Sequence, residues 1–367
     1  MSGVAPEPQT PARIVCVDQL RGYAIFGMLL VNANGIFFAP IRESFNGSAW
    51  QGLFDAFLYQ INHHQSTFTY ADTIAPLFVF VVGMGMRLSW LRQAQSLAPG
   101  AIRKAFLKRY AVMVLIAFAI YPGWLWDALM DIGLAGIIAI PLIDKSARVR
   151  IAAAAALLLA YQAMFTFTSY GVWLREGAFS LEDPGYVPLL VRLLPLQDYL
   201  FGARLNGGPL GPLSWVTMLL FGSCAYDWMA ARKEGSFVFR CVAWGAGLCA
   251  LAWAFHAAWP GLKPAWPISA HYMTIPFPLW ATGLCFLHVL GFYVLCDKLR
   301  VVIPTFTPVG MNPLALYIVQ SLFLGVLEEF SPARFSFVAG VLGFAAFWGV
   351  FSGAAWFLHR RRIYIKL

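Results

Sequence analysis

His63 and His64 stand nine and eight residues before Asp72, and Asp72 opens an apolar run, Thr73 to Leu88, whose first charge is Arg87. Histidine titrates near neutral pH, so it can take up or release a proton under ordinary conditions. A carboxylate beside it fixes the tautomer and steadies the imidazolium. Imidazoles and a carboxylate just outside a hydrocarbon slab are the parts of a proton-transfer centre at a membrane surface, and they mark the chain as an enzyme candidate. The bland alternative is that the histidines end an interfacial helix in water and that Asp72 is a helix N-cap, a common place for Asp; capping and catalytic pairing are compatible. A second acidic pair, Asp127 and Asp131 at i and i+4, belongs near the outer end of another apolar run. A carboxylate deeper in the hydrocarbon costs roughly 2.5–3.5 kcal/mol, so this pair is expected to face a wet vestibule.

The elements that would position these residues are helices in lipid. The chain has 367 residues, 60% hydrophobic and 12% charged, whereas soluble domains carry about 25% charged residues. Its 14 Trp and 31 Phe suit interfacial belts and packing between helices. The net charge of +9 does not signal nucleic acid, because the basic residues cluster in short segments between apolar runs. An integral membrane protein follows. A crossing helix needs about 20 apolar residues, and runs near 22–40, 72–90, 109–125, 128–144, 151–169, 210–231, 241–258, 276–296, 309–328 and 336–358 qualify; Pro122-Gly123 ends the third. No run shows the alternation of a barrel strand. The expected fold class is all-α, a bundle of about ten transmembrane helices.

With the amino terminus inside, 20 of the 26 Lys and Arg fall in cytoplasmic segments. That bias satisfies the positive-inside rule with both termini cytoplasmic. Residues 1–12 read as a disordered cytoplasmic tail rather than a signal peptide, and 13–367 as one transmembrane domain. Three outer loops, 41–71, 170–209 and 259–275, stand over the bundle. In the first, Trp50, Leu53, Phe54, Phe57, Leu58 and Ile61 recur at helical spacing, the pattern of an amphipathic helix on the outer leaflet. It would deliver the histidines to the mouth of the second span. The second loop carries Glu176, Glu182, Asp183 and Asp198, the third Lys263 and His271. Five of the six cysteines fall in or at the ends of spans and no CxxC occurs, so neither a disulfide nor a metal site is expected. His288, mid-span, reads as a core histidine.

The stretch Val17-Asp18-Gln19-Leu20-Arg21-Gly22, then Leu29-Leu30-Val31-Asn32, resembles the opening of the heparan-alpha-glucosaminide N-acetyltransferase family. Ala71-Asp72 with Pro76, Phe78, Phe80, Val81, Val82 and Gly83 continues the resemblance. So do Gly207 to Ser214 before a span with Gly222, Gly310-Met311-Asn312 with Tyr317, and His359-Arg360-Arg361-Arg362-Ile363. The resemblance implies a multi-pass enzyme of bacterial type in the inner membrane. Such an enzyme moves an acetyl, or another small acyl, group from cytoplasmic acetyl-CoA to an extracytoplasmic amino sugar or glycan. It also implies that a histidine of the first outer loop, His63 or His64, is catalytic. The chain departs from the family in a histidine-to-aspartate spacing about a residue short, in lacking a Trp and Gly between the two, and in Gln320, where the animal enzymes place a histidine. The Arg-Gly opening and the Tyr-Gln segment also resemble a related family of bacterial membrane proteins, and that reading stays open.

Acyl transfer from a thioester needs a base for the incoming amine or hydroxyl and donors aimed at the thioester oxygen. His63 or His64 with Asp72 would supply the first. Asn32 or Asn312 would supply the second, unless they serve as hydrogen-bonding glue between helices; Asp127 and Asp131 would bound the substrate. On the inner side the phosphates of CoA need cations, and Arg21, Arg103, Lys104, Lys108 and Arg109 are available. The 103–109 cluster also reads as a plain topology determinant, and Arg21 can pair with Asp18 one turn away. Direct transfer and an acetyl-histidine intermediate both fit. Expected partners are membrane lipid, the acceptor and, left open, a second copy in a homodimer; acetyl-CoA is the co-substrate. The competing reading is a transporter or flippase for a glycolipid or small solute, working through mid-membrane charge and broken helices such as the one at Pro304–Pro308.

Overall fold

The computed structural model describes residues 14–65, 67–120, 125–176, 205–231, 233–257, 266–331 and 336–365. The expected tail 1–12, the Pro122-Gly123 break, Glu182, Asp183, Asp198 and Lys263 lie outside the described residues. Among these residues all regular structure is helical. The long helices are α1 (Val15–Asn32), α4 (Ala71–Gln93), α5 (Pro99–Ile120), α6 (Ala128–Ala139), α7 (Ala147–Phe167), α9 (Pro212–Ala230), α10 (Glu234–His256), α11 (Pro276–Tyr293), α13 (Pro313–Phe330) and α14 (Phe337–Arg360). Shorter pieces are α2 (Asn34–Phe37), α3 (Gln51–Gln60), α8 (Tyr170–Glu176) and α12 (Phe306–Met311). Each of the ten apolar runs contains one of these long helices, though the run near 22–40 leaves its helix at Asn32 and the run near 309–328 is broken at Asn312.

Six of them, α4, α7, α10, α11 with its π-helical extension to Lys298, α13 and α14, are long and apolar enough to cross a membrane. The other four fall short for readable reasons. Helices α1 and α5 begin in charged turns, with Asp18 and Arg21 in one and Arg103, Lys104, Lys108 and Arg109 in the other. Helix α6 has 12 residues. Helix α9 is buried along almost its whole length, so its Ser214, Thr217 and Ser223 face protein rather than lipid and need not be apolar.

Helix α9 is the axis of the bundle, packed against α4, α6, α7 and α11. Its closest neighbour is α4, and two glycines make the approach reciprocal. A β-carbon on Gly222 would fall 1.9 Å from the Phe80 carbonyl oxygen, and one on Gly83 would fall 1.9 Å from the Leu219 carbonyl oxygen. Backbones this close are what small residues allow between membrane helices. Gly222→Ala is therefore expected to force the two helices apart and destabilise the protein by about 1–3 kcal/mol or more, measured as a fall in the thermal midpoint in detergent. At the carboxy-terminal end of α9, Asp227 accepts from Arg87 Nε at 2.8 Å and from Arg150, whose side chain is fully enclosed. Arg87 also donates to the Ile143 carbonyl at 2.7 Å, so one carboxylate ties α4, α7 and the end of α6 to α9.

The Val17–Gly22 signature performs a packing task. Gly22 lets α1 lie on the backbone of Phe306, and Gly310 lets α12 lie on the backbone of Asp18. Buried Gln19 donates to the Ile303 carbonyl (3.0 Å) and Thr307 Oγ1 (2.6 Å) and accepts from the Ile303 N–H (2.9 Å). The broken segment before α12 is thus fastened to α1. Before α4, α3 buries Phe54 and Leu58 while Trp50 and Leu53 stay exposed, giving it two apolar faces. Arg42 grips Asp55 at 2.7 and 3.4 Å and holds its carboxyl below the usual carboxylate range.

Candidate functional site

The ten residues between α3 and α4 close on themselves. Tyr70 N–H donates to Gln60 Oε1 at 3.0 Å. Asn34 Nδ2 donates to Asn62 Oδ1 (2.8 Å), Asn62 Nδ2 to the Leu58 carbonyl (2.9 Å), and Thr69 Oγ1 to the Asn62 carbonyl (2.7 Å). The residue before His63 is thus held from three directions.

Asp72 sits in the first turn of α4 with its side chain 1% exposed. As the second residue of α4, with Tyr70 and not Asp72 at the N-cap position, it reaches back so that Oδ2 accepts from the Thr69 N–H at 2.9 Å and Oγ1 at 3.2 Å. Its Oδ1 lies 2.7 Å from His63 Nδ1. A carboxylate can only accept, so Nδ1 carries the proton, and Nε2 of the neutral ring is left as the base. The His63 side chain is 61% exposed, so that nitrogen is open to an incoming group. His64 is placed otherwise: its ring stacks on Tyr59 at 4.1 Å and its Nε2 lies 3.2 Å from the Tyr59 carbonyl. The structure brings one histidine to Asp72 and turns the other onto α3.

Asp127, the residue before α6, accepts from Tyr317 Oη at 2.5 Å and lies within electrostatic reach of His63. Asp131, one turn deeper, is completely enclosed, with the Asn206 side chain beside it. The wet vestibule expected around Asp131 is therefore corrected. The loop preceding α9 closes over it, because Asn206, Gly207 and Gly208 all take left-handed backbone angles (φ 51°, 83° and 61°) and fold the chain back across the α6 end. Asn206 Nδ2 donates to the Trp126 carbonyl at 2.9 Å, and Tyr161 and Tyr170 both donate to the Gly207 carbonyl. Spacing alone could not show that cover.

The end of the bundle away from Asp72 holds a cavity of about 600 Å³, within the range of small-molecule sites. Arg21, Arg92 and Arg109 line it, with Asp18, Ser89, Tyr226 and Tyr364 among the polar walls. Arg21 lies 3.4 Å from Asp18, as one-turn spacing predicts, and a β-carbon on Gly85 would strike the Arg21 guanidinium. Of the expected CoA-binding set, Arg21 and Arg109 are on the wall. Arg103 is engaged with Asp144 at 2.8 Å, and Lys104 and Lys108 are exposed and off the wall, because α5 turns only one face inward. Arg92 was missed, since one arginine at a helix end reads as a topology signal.

The two asparagines expected as oxyanion donors are placed differently. Asn312 is fully buried and spends its amide on the carboxy-terminal segment: Nδ2 donates to the Ile363 carbonyl at 3.1 Å, and Oδ1 accepts from the Ile365 N–H at 2.8 Å. Asn32 is exposed at the last turn of α1. His288, expected in the core, is half-buried: its Nδ1 lies 2.8 Å from the Leu284 carbonyl and its ring stacks on Tyr23 of α1 at 6.0 Å. Gln320, by contrast, is 1% exposed with neither amide atom hydrogen-bonded. The resemblance had marked it only as a departure, standing where the animal enzymes place a histidine.

Fold and site together define a class: a multi-pass membrane protein, all-helical among the described residues, with a histidine–aspartate pair at the first turn of α4 and an arginine-lined cavity along the other end of that helix. No protein-family model and no curated protein matches the chain.

Proposed function

We propose that the protein is a membrane-embedded acyltransferase. It spans a cell membrane ten times with both termini cytoplasmic and moves an acetyl or small acyl group from cytoplasmic acyl-CoA to an extracytoplasmic amino sugar or glycan. The observation that carries this reading is the His63–Asp72 contact, with Asp72 buried and anchored at its other oxygen by Thr69. The arginine-lined cavity supports it. On α4 the cavity runs from Gln93 to Phe78, and Phe78 is six residues from Asp72, about 9 Å along the helix. Phosphates held at the inner edge would leave the thioester end directed toward the pair.

In this reading Nε2 of His63 removes the proton from the acceptor's amine or hydroxyl as its N or O attacks the thioester carbon. The tetrahedral intermediate collapses, the C–S bond breaks, and the imidazolium returns the proton to the departing thiolate. Asp72 holds Nδ1–H throughout and stabilises the charged ring. If Nε2 itself attacks, the acyl group rests on histidine before passing to the acceptor; the same atoms serve both routes.

The cavity is tested by calorimetric titration of the detergent-purified protein with CoA and acetyl-CoA. Arg21→Ala and Arg109→Ala are each expected to raise Kd about 10- to 100-fold, the size of a charge-assisted contact. Arg103→Ala, which removes only a partner of Asp144, is expected to leave it nearly unchanged. The wild-type protein failing to bind either ligand at high concentration would end the CoA reading and favour the transporter.

A further inference from the structure

We infer that Gln320 holds an amide of the acyl donor's arm between the inner cavity and His63, an inference that rests on the acyl-CoA reading above. Gln320 belongs to the buried face of α13 together with Leu316, Tyr317 and Leu324, so it points into the bundle and not to lipid. Neither Oε1 nor Nε2 has a hydrogen-bond partner. A buried carboxamide left in that state costs stability, and native proteins hold such groups where something else completes them.

Its place along α13 says what that is. Leu314 is on the cavity wall; Tyr317, three residues on, donates to Asp127; Gln320 is three residues further. Residues three apart are neighbours on a helix surface, and each step climbs about 4.5 Å. The carboxamide therefore stands about 9 Å beyond the cavity wall, outward past the Tyr317–Asp127 contact, in the direction of His63. His63 is bonded to Asp72, six residues beyond the cavity's Phe78 on α4, as Gln320 is six beyond Leu314 on α13. A donor with its phosphates among Arg21, Arg92 and Arg109 that reaches the histidine would therefore extend to about the level of Gln320. The arm of coenzyme A between phosphate and sulfur carries two secondary amides, each with one C=O and one N–H. A glutamine side chain matches such a group, Nε2–H donating to the carbonyl and Oε1 accepting from the N–H. The unpartnered pair of atoms and the chemistry of the arm are complementary.

The experiment uses the full-length protein in detergent with two probes: CoA, and adenosine 3′,5′-bisphosphate, which keeps base and phosphates but has no arm. For Gln320→Leu the Kd of CoA is expected to rise about tenfold, as for a lost hydrogen-bonded group, while the Kd of the bisphosphate stays at its wild-type value. The thermal midpoint is expected to hold or rise, since an unsatisfied polar group gives way to an apolar one of similar size. Gln320→Met, equally apolar and more adaptable, replaces it should the leucine overpack. Unchanged CoA binding in these variants, or equal weakening of both probes, would overturn the inference. Wild-type protein that binds the bisphosphate as tightly as CoA would overturn it too, leaving the cavity reading standing. Wild-type protein that binds neither would remove the acyl-CoA reading itself.

Discussion

His63→Ala is expected to lower acyl transfer by about 10²–10⁴-fold, the usual contribution of a positioned acid–base group, with CoA binding unchanged. The side chain is exposed, so its loss opens no cavity and leaves the loop held by Asn34, Asn62, Thr69 and Gln60. Folding and the inner cavity are separate from it. His64→Ala removes a ring stacked on Tyr59 and is expected to leave transfer within the same order of magnitude. Steady-state transfer to an amino-sugar acceptor, run beside CoA titration, separates the two variants. Equal activity in both single variants and in the double variant would dismiss the histidine as the base.

Asp72→Asn is expected to produce the next largest loss, up to about 10⁴-fold in kcat, at nearly constant KM. The native carboxylate accepts at both oxygens, from Thr69 N–H and from His63. Asparagine has one carbonyl oxygen for those two donors and turns an NH₂ toward the other. If the oxygen stays with Thr69, the NH₂ faces Nδ1, which must then become the acceptor, and the proton moves to Nε2, where the base should be. If the oxygen turns to His63, the helix start loses its tie to Thr69. The first outcome shows as inactivity with an unchanged thermal midpoint, the second as a lowered midpoint with part of the activity kept. Full activity with full stability would remove Asp72 from the mechanism.

Much of the fold was legible because lipid imposes a simple rule on sequence: long apolar runs separated by charge. All ten runs contain long helices, although only six meet length and apolarity on their own. The four that do not are those with charged first turns, a short helix, and α9, whose polar residues are hidden by neighbours. Period and composition cannot say which helix is central. The site was legible where chemistry is local. His63, Asp72 and the loop between them lie within a stretch of ten residues, and Asp72 reaches back only three residues to Thr69. It was obscure where partners are distant in sequence. Tyr317 meets Asp127 across 190 residues, the Asn206-Gly207-Gly208 turn covers Asp131, and Asn312 turned out to grip the carboxy-terminal segment. The Arg-Gly opening looked functional as a motif; Gln19 and Gly22 make it contact surface for α12 and the segment before it, while Val17, Asp18 and Arg21 reach the cavity.

The central claim is that one protein joins an inner CoA site to an outer histidine. It is tested most directly with proteoliposomes loaded with acetyl-labelled acetyl-CoA and bathed in amino sugars and glycans. The account predicts label on an outer acceptor with release of free CoA inside, for the wild-type protein and not for His63→Ala. Label transferred equally by both proteins would contradict it.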